Sequence, residues 1–103
     1  MSGSAIRKTL VNNTMVGRHR WIIRWAMFYR EDGTTCGRFS FLGRRRGKWW
    51  LEGDIFCAAW PMMNNGRTNR YVAFRNADRV KWFRLSGEEM RNDRVLPGNP
   101  MRL

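Results

Sequence analysis

The sequence predicts an all-β fold: a single antiparallel meander of about six strands, curled into a small barrel or half-barrel, with a short N-terminal helix and an irregular C-terminal tail. Three observations predict it. Apolar and polar residues alternate at a period of two over several short stretches. Clusters of Gly, Asn, Asp and Ser separate those stretches. No segment between consecutive strands is long enough for a crossover helix, so neighbours pair antiparallel. The sheet must then curl, because 6 Trp, 6 Phe and 2 Tyr leave aromatic side chains on both of its faces.

Taken in order, residues 4–11, SAIRKTLV, read as a short helix with Ser4 as N-cap and Ile6 and Leu10 on one face. Residues 19–30, HRWIIRWAMFYR, form the clearest strand. Trp21, Ile23, Trp25, Met27 and Tyr29 share one face, and Arg20, Ile22, Arg24, Ala26, Phe28 and Arg30 the other. Glu31-Asp32-Gly33-Thr34 is a turn. The next strand, 35–42, sets Phe39 and Phe41 on one face against Cys36, Arg38, Ser40 and Leu42.

Residues 43–60, GRRRGKWWLEGDIFCAAW, hold three of the six tryptophans and the densest positive charge. Gly43–Gly47 reads as a basic loop, Lys48–Leu51 as a strand, Gly53-Asp54 as a tight turn, and Ile55–Trp60 as a returning strand. Residues 61–68 form the longest interior loop, and 69–76 and 79–85 the last two strands. After Ser86-Gly87 the alternation collapses. The chain thus divides into a β-meander domain over 1–87 and a C-terminal tail over 88–103, poorly ordered or packed only locally.

The 103 residues make one domain, and such a chain buries roughly two thirds of its unfolded surface. No run of eighteen apolar residues exists, so nothing reads as a transmembrane segment. The N-terminus lacks the apolar region of a signal peptide. The chain is expected to be cytoplasmic if complete, and periplasmic or secreted if a signal peptide was removed. Cys36 and Cys57 lie 21 residues apart, which is no metal-site spacing, and His19 is the single histidine. The cysteines read as two small buried residues, with a disulfide as the alternative.

At DGTTCGRFSF and GKWWLEGDIFCAAW the chain resembles a family of small, often exported bacterial β-domains of unknown function. The matching residues are Asp32, Gly33, Gly47, Trp49, Gly53, Asp54, Cys57 and Trp60, within a likeness covering about residues 10–86. The resemblance implies a β-meander and brings no activity with it. In such relatives a cysteine commonly follows the middle loop; here Asn69-Arg70-Tyr71 stands there instead.

The chain reads as a non-enzyme that needs no cofactor and no metal. A triad would require partners that four serines and one histidine scarcely provide. Glu31, Asp32, Glu52, Asp54 and Asp78 sit at turns, where carboxylates bond nearby backbone N–H groups. The formal net charge, by contrast, is +12, with 17 Arg among 20 basic residues. A charge this far from zero attracts polyanions.

Two function classes follow. The first is a binding module for a polyanion: nucleic acid, acidic glycan or an anionic membrane surface. Arg44, Arg45, Arg46 and Lys48 would supply the field with the strand arginines Arg20, Arg24, Arg30 and Arg38. Trp49 and Trp50 must point to opposite faces of their strand, and Trp50 is the expected outward stacking surface. The second class is a protein–protein or structural module, or a homo-oligomer, docking through an aromatic-rich sheet face or edge. A weaker third reading is a barrel whose mouth takes a small apolar ligand.

Overall fold

The structure, a computed structural model, describes residues 1–19 and 23–103. Arg20, Trp21 and Ile22, assigned above to the first strand, lie outside the described residues. The described residues form one helix, α1 (Gly3–Leu10), and eight strands: β1 (Asn13–His19), β2 (Ile23–Tyr29), β3 (Thr34–Phe39), β4 (Gly43–Glu52), β5 (Ile55–Ala59), β6 (Thr68–Asn76), β7 (Arg79–Arg84) and β8 (Glu89–Pro97). Each strand pairs antiparallel with the next, and β8 pairs with β1 to close the barrel.

Three of these strands differ from the expectation. The supposed tail contains β8, which pairs with both β7 and β1, so residues 89–97 belong to the barrel. Residues 98–103 dock as well: the Thr14 hydroxyl donates to the Gly98 carbonyl at 2.8 Å, and Leu103 is buried against Ala26 and Phe28. The segment Asn13–His19, to which no element is assigned above except His19 at the start of the 19–30 strand, is a strand of its own. The basic segment Gly43–Gly47 is not a loop but the first half of β4, paired residue by residue with β3. Gly47 fits that strand: Trp60 crosses directly over it, where an added Cβ would meet the indole ring at 2.8 Å. Phe41 lies beyond β3, in the turn to β4.

Period-two alternation decides the interior. Met15, Met27, Tyr29, Trp49, Phe56, Ala73, Val80 and Trp82 point inward and are buried. Their rings meet mostly edge-on or tilted: Phe56 stands 4.7 Å from Trp82 and 5.9 Å from Tyr29. Trp25 is inward and half-buried, as the strand pattern predicts, and it lies over Gly17. One ionic pair shares this interior. The Arg91 guanidinium is 3.3 Å from the Asp93 carboxylate, and Asp93 also accepts the Trp25 indole N–H at 2.7 Å.

The helix plugs the barrel end where β2–β3, β4–β5 and β6–β7 turn. Its N-cap is Ser2 rather than Ser4: the Ser2 hydroxyl accepts from the Ala5 N–H at 3.2 Å. Ile6 and Leu10 join the core beside Tyr29 and Trp49. Three bonds fix the plug. Gly3 N–H donates to Asp54 at 2.7 Å, Arg75 to the Thr9 hydroxyl at 2.9 Å, and Arg7 to the Glu31 carbonyl at 3.3 Å. Gly53, at φ +61°, makes the predicted tight turn that presents Asp54.

Candidate functional site

The outer face of the closed barrel is where the charge collects. The same alternation that sends Met15, Met27 and Trp49 inward sends Val16, Arg18, Arg24, Ala26, Arg38, Arg44 and Arg46 outward. Antiparallel pairing then lines them up across strands. A single cross-strand row runs Arg79, Arg94, Val16, Ala26, Arg38, Arg44, from β7 through β8, β1, β2 and β3 to β4. At the strand spacing of a sheet this row is ~24 Å long. Beside it, Arg18 stands opposite Arg24.

Among the described residues this face therefore holds three directly opposed arginine pairs: Arg18 with Arg24, Arg38 with Arg44, and Arg79 with Arg94. Like charges directly opposite one another destabilise a sheet. Among the described residues only the last pair is relieved by an acid, through the Arg94–Asp78 contact at 3.2 Å. The sequences of β1, β2 and β3 contain no Asp or Glu, and β4 has none before Glu52.

Between the arginines the surface is concave. A groove of about 900 Å³ is lined by Val16 and Ala26, by Arg18, Arg24, Arg38, Arg79 and Arg94, and by Ser40 and Met101. A smaller recess of about 480 Å³ adjoins it, lined by Arg30, Cys36, Arg44, Arg45, Arg46 and Leu103. The tail runs past both. Arg44 donates to the Arg102 carbonyl at 3.3 Å, and Arg30 donates to the Leu103 carbonyl at 3.4 Å and to Cys36 Sγ at 3.0 Å. Both cysteines are free thiols, Cys36 half-buried and Cys57 buried. Burial pushes the Cys57 thiol up, and the nearby Glu52 carboxylate adds to that.

The structure brings some of the predicted residues together and separates others. Arg24, Arg38 and Arg44 share the row. Arg46 lies one step along β4, opposite Cys36, in the smaller recess. Arg45 falls on the other face of β4 by alternation and donates to the Arg44 carbonyl at 2.8 Å. Lys48 is exposed opposite Ala59, away from the groove. Trp50 points outward as expected but sits six residues, ~20 Å, down β4 from Arg44. Its indole N–H is spent on Glu52 at 3.0 Å, and Glu52 also pairs with Arg70 at 3.2 Å. The Trp50 and Arg70 bonds together hold the Glu52 carboxyl below the usual range.

Sequence reasoning missed Arg18, Arg79, Arg94 and Phe41. Arg79 was legible: it has the parity opposite to Val80 and Trp82 and so faces out. Arg94 became visible only with β8. Among the described residues no cluster of three metal-ligating side chains occurs, and no helix is long and apolar enough to cross a membrane. Comparison with protein-family models, with curated proteins and with solved structures finds no match to this chain. The resemblance to exported bacterial β-domains stands on its motif residues alone.

Proposed function

We propose that this protein is a non-enzymatic binding module for a polyanion, which it holds along the arginine row of its outer face. The observation that carries this reading is the two opposed pairs Arg18–Arg24 and Arg38–Arg44, which no acid among the described residues relieves, beside a groove lined in part by Val16 and Ala26. Such pairs oppose folding, and an anionic ligand would remove the penalty by lying between them. Neutralised phosphates or sulfates release their counterions, so binding should weaken linearly on a log–log plot against salt.

The test is a titration of the parent and of the triple variant Arg24→Gln/Arg38→Gln/Arg44→Gln against a single-stranded oligonucleotide, a duplex and heparin at several salt concentrations. The variant should keep its fold and lose affinity for all the polyanions the parent binds. Its salt slope should flatten by about 0.7–0.9 for each phosphate that is no longer neutralised. Equal slopes and affinities would remove the row from the site.

A second reading, docking on a protein partner, has one observation in its favour. Phe74 and Phe83 form an outward edge-to-face pair 5.4 Å apart on β6–β7, and Phe74 is exposed. Concentration-dependent association lost in Phe74→Ser, seen by light scattering, would favour it.

A further inference from the structure

We infer that the polyanion is a single-stranded nucleic acid, and that Phe41 is the surface on which one of its bases stacks. This rests on the polyanion reading above and adds two observations to it.

The first is the path of the arginines. The row crosses five of the eight strand-to-strand steps of a closed barrel, from β7 round to β4. It therefore curves around the protein. A flat membrane surface meets only part of such a row. A duplex, stiff over about 50 nm, bends round a body whose Cα radius of gyration is 12.6 Å only at a cost in elastic energy. A flexible single chain of phosphates follows the curve, with its backbone along the groove.

The second is Phe41. It is 73% exposed, more than any other large apolar side chain among the described residues. It sits in the β3–β4 turn, next in sequence to Ser40 of the groove and between Arg38 and Arg44 of the row. The turn is held at its base. The Ser40 N–H donates to the Arg24 carbonyl at 3.1 Å, the Arg24 N–H donates to the Ser40 hydroxyl at 3.0 Å, and the Leu42 N–H donates to the Phe39 carbonyl at 3.2 Å. Of the rings nearest the groove, Phe28 on the outer face is buried with Arg30 over it, and the inward Trp25 is tied to Asp93. An exposed aromatic ring on a hydrogen-bonded turn, next in sequence to the groove-lining Ser40, matches with the groove the two parts of single-strand recognition, a backbone track and a stacking platform. An acidic glycan offers charge for the track but no flat base for the platform.

The experiment uses the full chain with Phe41→Ala and Phe41→Trp, circular dichroism verifying the fold of each. Ligands are a labelled 20-nucleotide single strand as DNA and as RNA, the matching duplex, heparin, and vesicles of phosphatidylserine and phosphatidylcholine. The parent should prefer the single strand, with the DNA and RNA arms telling which sugar it favours. Phe41→Ala should weaken single-strand binding roughly 5- to 150-fold, the range of one lost stack. Its salt slope and its heparin affinity should stay parental, because no charge is removed. Phe41→Trp should bind at least as tightly as the parent. Parental single-strand affinity in Phe41→Ala, or parental preference for duplex, heparin or vesicles, would overturn the stacking inference and leave the groove standing. Silence of the parent toward every ligand at low salt would bring down the groove and this inference together.

Discussion

Arg91 and Arg38 are the same residue type on the same barrel, one inside and one outside, and the chain treats them oppositely. Arg91 lies in the interior with Asp93 at 3.3 Å, packed over the rings of Trp82 and Tyr71 at 5.3 and 6.0 Å. Arg38 lies exposed on β3 and faces Arg44 across the sheet. Inside, water cannot stabilise the charge, and a carboxylate must. Outside, water suffices, and an arginine can stand against another arginine at modest cost. Acids were available for the outer surface: Glu52, Glu88 and Glu89 each pair with an exposed cation, namely Arg70, Arg84 and Lys81. None faces Arg18, Arg24, Arg38 or Arg44. The difference teaches that the few carboxylates, 8 against 20 basic residues, are placed beside other cations and leave Arg18, Arg24, Arg38 and Arg44 without one.

The largest expected effect breaks the inner half of this comparison. Asp93→Ala would strand the Arg91 charge and the Trp25 indole N–H in the interior. Removing one partner of a buried pair costs about 3–5 kcal/mol, a large share of the roughly 5–15 kcal/mol that holds a domain together. Urea unfolding should show it as a large fall in midpoint. The double change Arg91→Met/Asp93→Leu should recover most of that fall, because it leaves no charge behind. A near-parental midpoint for Asp93→Ala alone would mean that Arg91 reaches water.

A second interior group sharpens the contrast through pH. Burial pushes the Tyr29 hydroxyl above its ordinary value; Arg91 works against the shift and Asp93 adds to it. The folded state thus favours the neutral phenol. Its contribution is fully present below the unfolded tyrosine value, about pH 10, and is lost as pH rises through the higher folded value. Thermal melts should therefore decline above about pH 10, and Tyr29→Phe should decline less steeply. An identical alkaline decline in the two proteins would place the titrating groups elsewhere.

Much of the fold was legible because its signal is apolar alternation, and that signal is strong wherever the interior is apolar. β2 announces itself through Trp25, Met27 and Tyr29. It fails where the interior is polar. β8 turns Arg91 and Asp93 inward, so its alternation looks like scattered charge, and a strand reads as a tail. β1 has only Met15 to mark its inward face, with Gly17 leaving room for Trp25. The candidate site was half legible. Arg24, Arg38 and Arg44 were found as outward or loop charges, but a site made of cross-strand neighbours depends on register. The register that sets Arg79 beside Arg94 and Arg94 beside Val16 needs the closing strand. Trp50 was read correctly as outward; what the sequence did not convey is that Glu52, two residues on, claims its indole N–H.

The smallest expected effect concerns the outer half, and its sign matters more than its size. If Arg38 and Arg44 repel across the sheet, Arg38→Gln should stabilise the free protein at low salt. Like-charge neighbours on secondary structure cost a few tenths of a kcal/mol, which is roughly 1–3 °C in melting temperature for a domain of this size. The gain should fade as salt rises, because the Debye length is about 10 Å at 0.1 M and about 3 Å at 1 M. Arg84→Gln removes a partner of Glu88 instead and should lower the melting temperature slightly at low salt. Opposite signs in the two variants, converging at high salt, are the signature of a face that carries uncompensated charge at the expense of its own stability. A saturating polyanion should then reverse the order for Arg38→Gln, since ligand stabilises the tighter-binding parent more. If both arginine changes destabilise equally at every salt concentration, the cross-strand pairs do not repel, and the row holds no strain for an anion to relieve.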